Sequence, residues 1–228
     1  GLWQIKTTLI ADDPARPNDN EPFHITDTEN YLVPNLPKSS LLNKIYLTEY
    51  PKKPNEITGF TTREGTNEDI HSAFSDGTIL LSFVGHGSPT VWTQEKVFVK
   101  EDIYTMKTNG HFPLITAATC SWSHSDKINF QSMGEEIMLL ENNGAIATIG
   151  PTRAAYPTAN INFIKYFYKN LFPDAPNSSE NNSIGEAYLQ AKISTYGSNN
   201  KKFMLLGDPT IYLNFPNNNG EINYISSD

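Results

Sequence analysis

Basic residues are scarce in this chain of 228: 17 Lys and Arg stand against 25 Asp and Glu, a net charge of −8, and no basic run exceeds a pair. Nucleic acid needs a basic stripe to neutralise its phosphates, so it is excluded as a partner. Cysteine is scarcer still. Cys120 stands alone, so no intrachain disulfide can form and any thiol chemistry has a single candidate. Long apolar runs are missing as well, and nothing approaches the roughly 18–20 uninterrupted apolar residues of a membrane-spanning helix. The opening Gly1-Leu2-Trp3-Gln4-Ile5-Lys6 lacks the basic and apolar regions of a signal peptide and runs straight into a strand pattern. The sequence therefore reads as a piece of a longer protein.

What is present suits one α/β domain with a sizeable core: 38% of residues are hydrophobic and 11% aromatic. Ile5–Ala11 reads as a buried strand ending in Asp12-Asp13-Pro14, followed by a polar loop to Pro22. Asp27–Leu36 is a short helix and Lys44–Glu49 a second strand. Thr66-Asn67-Glu68-Asp69 has the form of a helix cap, with Gly77 as the stop. Thr78–Val84 and Phe112–Ala118 are continuous apolar and β-branched runs, as expected of strands buried on both faces. Ser132–Asn142 is predicted helical, Ala145–Gly150 a strand, and Thr158–Leu171 and Ile184–Ser194 helices. Phe203–Leu206 and Thr210–Phe215 close the pattern as strands. Alternating strands and helices predict a mainly parallel sheet covered on both faces. The domain spans 1–215, and 216–228 is a polar tail or linker.

Two of these strands end in reactive residues. Thr78–Val84 runs into Gly85-His86-Gly87, and Phe112–Ala118 into Thr119-Cys120-Ser121. In open parallel sheets functional groups gather beyond the carboxyl ends of the strands. If the two strands are neighbours, imidazole and thiol meet at one edge. The imidazole then draws the thiol toward thiolate and can return the proton to a leaving amine. The flanking glycines permit unusual φ and leave the Gly87 amide open, and with the Cys120 amide it forms a candidate oxyanion hole. Taken singly, a lone cysteine is most often an inert small hydrophobe and a histidine between glycines a turn residue. Together, at the ends of two core strands, they are harder to explain by packing.

Other features call for plainer readings. Asp208-Pro209 suits a turn in which Asp208 bonds local backbone amides. Arg153 is expected to hold Glu135 or Glu136. Asp12, Asp13 and Asp208 are the only material for a metal-dependent hydrolase. His71, His111 and His124 lack zinc-ligand spacing, so no metal site is assigned.

The motifs, taken in order, resemble a known family. They are Ala11-Asp12-Asp13-Pro14; Val84-Gly85-His86-Gly87-Ser88 with Trp92; Thr119-Cys120-Ser121 with Asp126; Gly134-Glu135; Gly144-Ala145-Ile146-Ala147 with Gly150-Pro151-Thr152-Arg153; and Leu206-Gly207-Asp208-Pro209. Gly-His-Gly alone is weak, but the order and spacing of the set are specific. The chain resembles the gingipain-like (C25) cysteine peptidases, most closely the catalytic domain of PorU-type sortases of the type IX secretion system. The resemblance implies a caspase-like three-layer α/β/α sandwich. His86 and Cys120 fall on the family's catalytic dyad, and Asp12 on an acidic residue near the histidine, with Asp13 one position away and a loop carboxylate the plainer alternative. Val84, Ala118 and Trp122 fall where the first specificity pocket is lined. Where arginine-specific members carry an Asp in that pocket, this chain has His24 and Ile25, so Arg preference is not expected. His24 reads equally as a surface histidine.

The implied function is peptide cleavage with acyl transfer. A sortase would remove C-terminal signal domains from exported proteins. The alternatives are a secreted gingipain-like endopeptidase and a catalytically silent cargo-binding domain. The resemblance further implies a protein or peptide substrate, contact with other domains of the same longer chain and with secretion components, and a location outside the bacterium or on its outer membrane. No cofactor is required, and a structural calcium ion, at no site that can be named, would be in keeping with the family.

Overall fold

The computed structural model describes residues 1–14, 24–54, 61–175, 177 and 180–216. Most of the polar loop expected up to Pro22 and of the tail expected after Phe215 lies outside them. The strands are β1 Lys6–Ala11, β2 Leu41–Tyr46, β3 Lys52–Pro54, β4 Thr61–Arg63, β5 Leu80–Val84, β6 Val91–Trp92, β7 Phe98–Val99, β8 Leu114–Ala118, β9 Ala147–Pro151 and β10 Phe203–Gly207. The helices are α1 His24–Asp27, α2 Thr66–Asp76, α3 Met133–Glu136, α4 Pro157–Leu171, α5 Ile184–Ser194 and α6 Ser198–Lys202.

Six strands make one sheet in the order β10-β9-β8-β5-β1-β2, parallel throughout except for β10, which runs antiparallel to β9. Successive side chains along a strand point to opposite faces. Leu9, Leu80, Leu114 and Ile149 accordingly join Phe163, Phe167 and Ala187 of α4 and α5 in one core. Ile10, Leu81, Phe83, Ile115 and Ala117 join Ile70 and Phe74 of α2, with Trp92 and Trp122, in the other. The result is the expected three-layer sandwich. Within the first core the Thr116 hydroxyl bonds Ser82 Oγ at 2.9 Å and the Tyr168 hydroxyl at 2.8 Å.

Several boundaries differ from expectation for identifiable reasons. The segment expected as a helix over Asp27–Leu36 is instead α1, a π turn over Thr28–Leu32 and a 3-10 turn over Val33–Asn35, with Pro34 ending it. Thr66 is not a cap; the cap position is Gly65 at φ +88°, and Thr66 is buried inside the first turn. The helix expected over Ser132–Asn142 keeps its Ser132–Glu135 capping box but ends at Glu136, where i→i+3 bonds take over from Met138 to Glu135 and Leu139 to Glu136. Thr210–Phe215 forms no strand. Its backbone is bound by the start of α5 and by Asn181 instead: Ile184 N–H donates to Ile211 O at 2.9 Å, and Leu213 N–H to Asn181 Oδ1 at 3.0 Å.

Candidate active site

The parallel pairing of β5 with β8 sets Val84 opposite Ala118, and β1 places Ala11 opposite Val84 on its other side. Gly85 N–H then donates to Ala118 O at 3.2 Å and Asp12 N–H to Val84 O at 3.0 Å, so the ladder continues past the strand ends. Three adjacent strands therefore release Asp12, His86 and Cys120 at the same end of the sheet.

Asp12, only 3% exposed, accepts two bonds from His86 at Oδ2: one from the backbone N–H at 2.9 Å and one from ring Nδ1 at 2.9 Å. A carboxylate can only accept, so the proton sits on Nδ1 and Nε2 is left as the basic nitrogen. Burial pushes the Asp12 carboxyl above its ordinary value, opposed by the bonds from His86. Of the two candidate acids, Asp12 is thus the one on the histidine. Asp13 turns away to an ion pair with Arg63 and lies 3.6 Å from Lys52.

Cys120 is half-buried, its Sγ 3.3 Å from Ala155 O and 3.5 Å from Ala155 N. Ser121 follows at φ +51°, and its N–H donates to Arg153 O at 3.1 Å. Such a left-handed residue turns the chain sharply away from the strand. The flanking glycines serve space rather than φ, since neither has a positive value. A Cβ on Gly85 would collide with the Asp12 side chain, and one on Gly87 would meet Thr119 Oγ1 at 2.5 Å. Gly87 pairs with Trp92 through bonds made by its neighbours, Thr93 N–H to His86 O and Ser88 N–H to Val91 O. Its own amide faces the other way. Among the described residues neither the Gly87 nor the Cys120 N–H donates to a protein acceptor.

The expected pocket residues are placed differently. Trp122 is fully buried beside Trp92, ring centroids 6.1 Å apart, and belongs to the α2-side core rather than to a substrate surface. Val84 and Ala118, 2% and 4% exposed, are covered on the opposite face by the core beneath α4 and α5. His24 is neither on the surface nor open to substrate. It is buried edge-on to His86, ring centroids 5.2 Å apart at 86°. The open surface lies on the other side of His86, in a groove of about 410 Å³ walled by Gly87, Val91, Thr93, Gln94 and Lys96. Lys96 is the only full charge among its lining residues. Arg153 pairs with Asp126, not with Glu135 or Glu136; Glu135 instead closes the Ser132 cap and Glu136 meets Lys100 at 3.1 Å. Asp208 makes the expected turn, accepting from Thr210 N–H at 2.8 Å and its hydroxyl at 2.7 Å.

Asp12, Asp13 and Glu95 bring carboxylate oxygens within 4.8 Å of one another. Arg63 and Lys52 already neutralise Asp13, and Lys52 reaches Glu95 at 3.7 Å. Calcium takes six to eight oxygens, so this small, cation-paired group does not fit it.

The sequence profile of peptidase family C25 matches residues 1–214. The chain belongs to peptidase family C25. Among solved structures it is similar to the Arg-specific cysteine proteinase gingipain R (RgpB), at 19% identity and a TM-score of 0.71 over 93% of this chain and 48% of that one. It is also similar to a complex of the pro- and mature domains of RgpB from Porphyromonas gingivalis, at 18% identity and 0.70 over 94% and 50%. A third, described as a protease, gives 13% identity and 0.62 over 92% and 49%. The chain thus spans about half the length of these relatives, and the likeness establishes the gingipain-like α/β fold. No curated protein sequence matches.

Sequence reasoning on this C25 domain missed a buried amide relay. Asn199 Nδ2–H donates to Asn160 Oδ1 at 2.8 Å, and Asn160 Nδ2–H donates to Thr119 O at 2.8 Å, while Asn199 Oδ1 accepts from Tyr156 N–H at 2.9 Å. Asn160 and Asn199 are 2% and 5% exposed. They tie the carbonyl preceding Cys120 to the segment that meets its sulfur. Asn160→Leu should leave two buried partners unsatisfied and lower stability by about 1–3 kcal/mol. Denaturant unfolding checks this, and an unchanged midpoint would refute it.

His24 makes a second prediction. Burial, with His86 adding to it, lowers its pKa to about 4, while an unfolded histidine keeps about 6.5. Between those values the unfolded chain binds more protons, so stability present above pH 6.5 is lost as pH falls toward 4, by up to about 3 kcal/mol. His24→Phe should flatten that acid slope in melting curves recorded from pH 7 to pH 4.

Proposed function

We propose that the chain is a cysteine endopeptidase domain. The reading is carried by the Val84–Ala118 register, which delivers His86 and Cys120 to one edge, with Asp12 bound to the imidazole. The Cys120 thiol passes its proton to His86 Nε2 and the thiolate attacks the peptide carbonyl. The carbonyl's π electrons move onto oxygen, and the Gly87 and Cys120 N–H groups donate hydrogen bonds to the resulting oxyanion. As the tetrahedral species collapses, the C–N bond breaks and the departing amine takes the proton from His86. A thioester to Cys120 remains; water or another amine attacks it and gives a proton to His86, the C–S bond breaks, and the released Cys120 sulfur takes that proton back. Every proton and electron pair in this sequence is handled by the chain and the substrate, so no cofactor is needed.

Within that class we favour a sortase of the PorU type, acting on exported proteins with C-terminal signal domains at the cell exterior or outer membrane. Support comes from the groove, among whose lining residues Lys96 is the one full charge and no acid is found. The alternatives are a general gingipain-like endopeptidase and a silent cargo-binding domain. The substrate is a protein or peptide, and the partners would be the remaining domains of a longer chain and secretion components. Transfer of the acyl group to added hydroxylamine, in competition with water, separates transpeptidase from plain hydrolase.

Thiol reactivity tests the reading directly. Cys120 should react with iodoacetamide at least about tenfold faster than glutathione, because His86 can take up the thiol proton as the sulfur attacks. His86→Ala should bring it back to the rate of a free thiol. Equal rates in all three would favour the cargo-binding domain.

A further inference from the structure

Asp12, His24 and His86 each offer a ligand atom, and the three lie within 4.8 Å of one another. Tetrahedral zinc, with bonds of 2.0–2.1 Å, needs ligand atoms about 3.3 Å apart. A second observation points the same way. His24 Nε2 is buried without a hydrogen-bond partner, in a residue only 5% exposed. Buried polar atoms are nearly always satisfied, so an unsatisfied nitrogen on a ring whose centroid lies 5.2 Å from that of a second imidazole is open to a ligand. The donor set decides which ligand. Two imidazoles and one carboxylate suit zinc, whereas calcium and magnesium take oxygen.

We propose that Asp12, His24 and His86 form an inhibitory zinc site. The proposal rests on the reading of His86 as the base that takes the Cys120 proton. A metal ion on that imidazole removes its acceptor nitrogen and breaks its alignment with Asp12, and the thiol is left without a base. Three elements converge there: helix α1 brings His24, and the ends of β1 and β5 bring Asp12 and His86. The site needs no sulfur, which separates it from ordinary zinc capture by a catalytic thiol.

The experiment titrates zinc alone into the Cys120→Ala chain against a chromophoric chelator. One equivalent should bind, and adding His24→Ala should weaken binding by about tenfold or more. His111→Ala, at a distant histidine, should not change it. Cobalt in the Cys120→Ala chain should give tetrahedral visible bands without a sulfur charge-transfer band, and lose them with His24→Ala. Failure of Cys120→Ala to bind would mean capture by the thiol and overturn the proposal, as would binding indifferent to His24. A folded His24→Ala chain, checked by circular dichroism, is required for that arm, and His24→Gln serves if it fails. None of these readings uses activity. Retained turnover in Cys120→Ala would sink the peptidase assignment while the metal measurement stood.

Discussion

Cys120→Ala should abolish hydrolysis of fluorescein-labelled casein, with kcat falling by at least about 10⁴-fold and KM little changed. The size follows from the absence of any substitute. Cys120 is the only cysteine in the chain, so no second thiol can take over. Substrate binding should persist because the groove wall, from Gly87 to Lys96, belongs to a different segment. The residue is half-buried, and alanine keeps the backbone amide that faces the developing oxyanion. The melting temperature should therefore stay close to that of the parent chain. A variant retaining more than about one per cent of the parent rate would remove the nucleophile from the scheme.

Asp12→Asn should lower kcat by on the order of 10²–10⁴-fold while leaving KM nearly unchanged. Asp12 is a positioning residue, acting through His86 rather than on substrate. Its Oδ2 holds both the backbone N–H and Nδ1 of that histidine. An amide of the same shape can donate to Nδ1, favouring the tautomer with the proton on Nε2, which cannot accept from the thiol. It also removes the charge that stabilises the imidazolium. The alkaline limb of the kcat/KM profile should then move to lower pH, an effect that a purely structural contact would not produce. Stability should fall far less than activity. The buried charge of Asp12 is resisted by desolvation, so neutralising it offsets part of the lost bonding. Parallel loss of melting temperature and rate, with no movement of the limb, would reduce Asp12 to a structural cap.

The delivery of His86 and Cys120 to one sheet edge was legible because two signals coincided. Thr78–Val84 and Phe112–Ala118 are apolar on both faces, and each ends abruptly in a reactive residue, which fixes both strand type and strand end. Asp12 was legible as a strand-end acid, but the choice against Asp13 needed Arg63, which lies about fifty positions away and has no local signature. Trp122 and His24 were misplaced for a common reason. Proximity in sequence to a reactive residue says nothing about which way a side chain turns once the strand has ended. Asn160 carried no signal, because nothing in its neighbours reveals that Thr119 and Asn199 lie against it. The antiparallel course of β10 was equally hidden, since the hydrophobic pattern of a short edge strand is the same in either direction.

The two glycines around His86 carry a consequence for change at this site. Their neighbours, Asp12 and Thr119, fill the volume where a methyl group would go. The reactive edge therefore cannot be retuned by enlarging its own backbone positions. Gln94 and Lys96, exposed along the groove, are under no such restriction. New selectivity in a C25 domain of this kind would have to be written on that ribbon, with the chemical end of the sheet carried along unaltered.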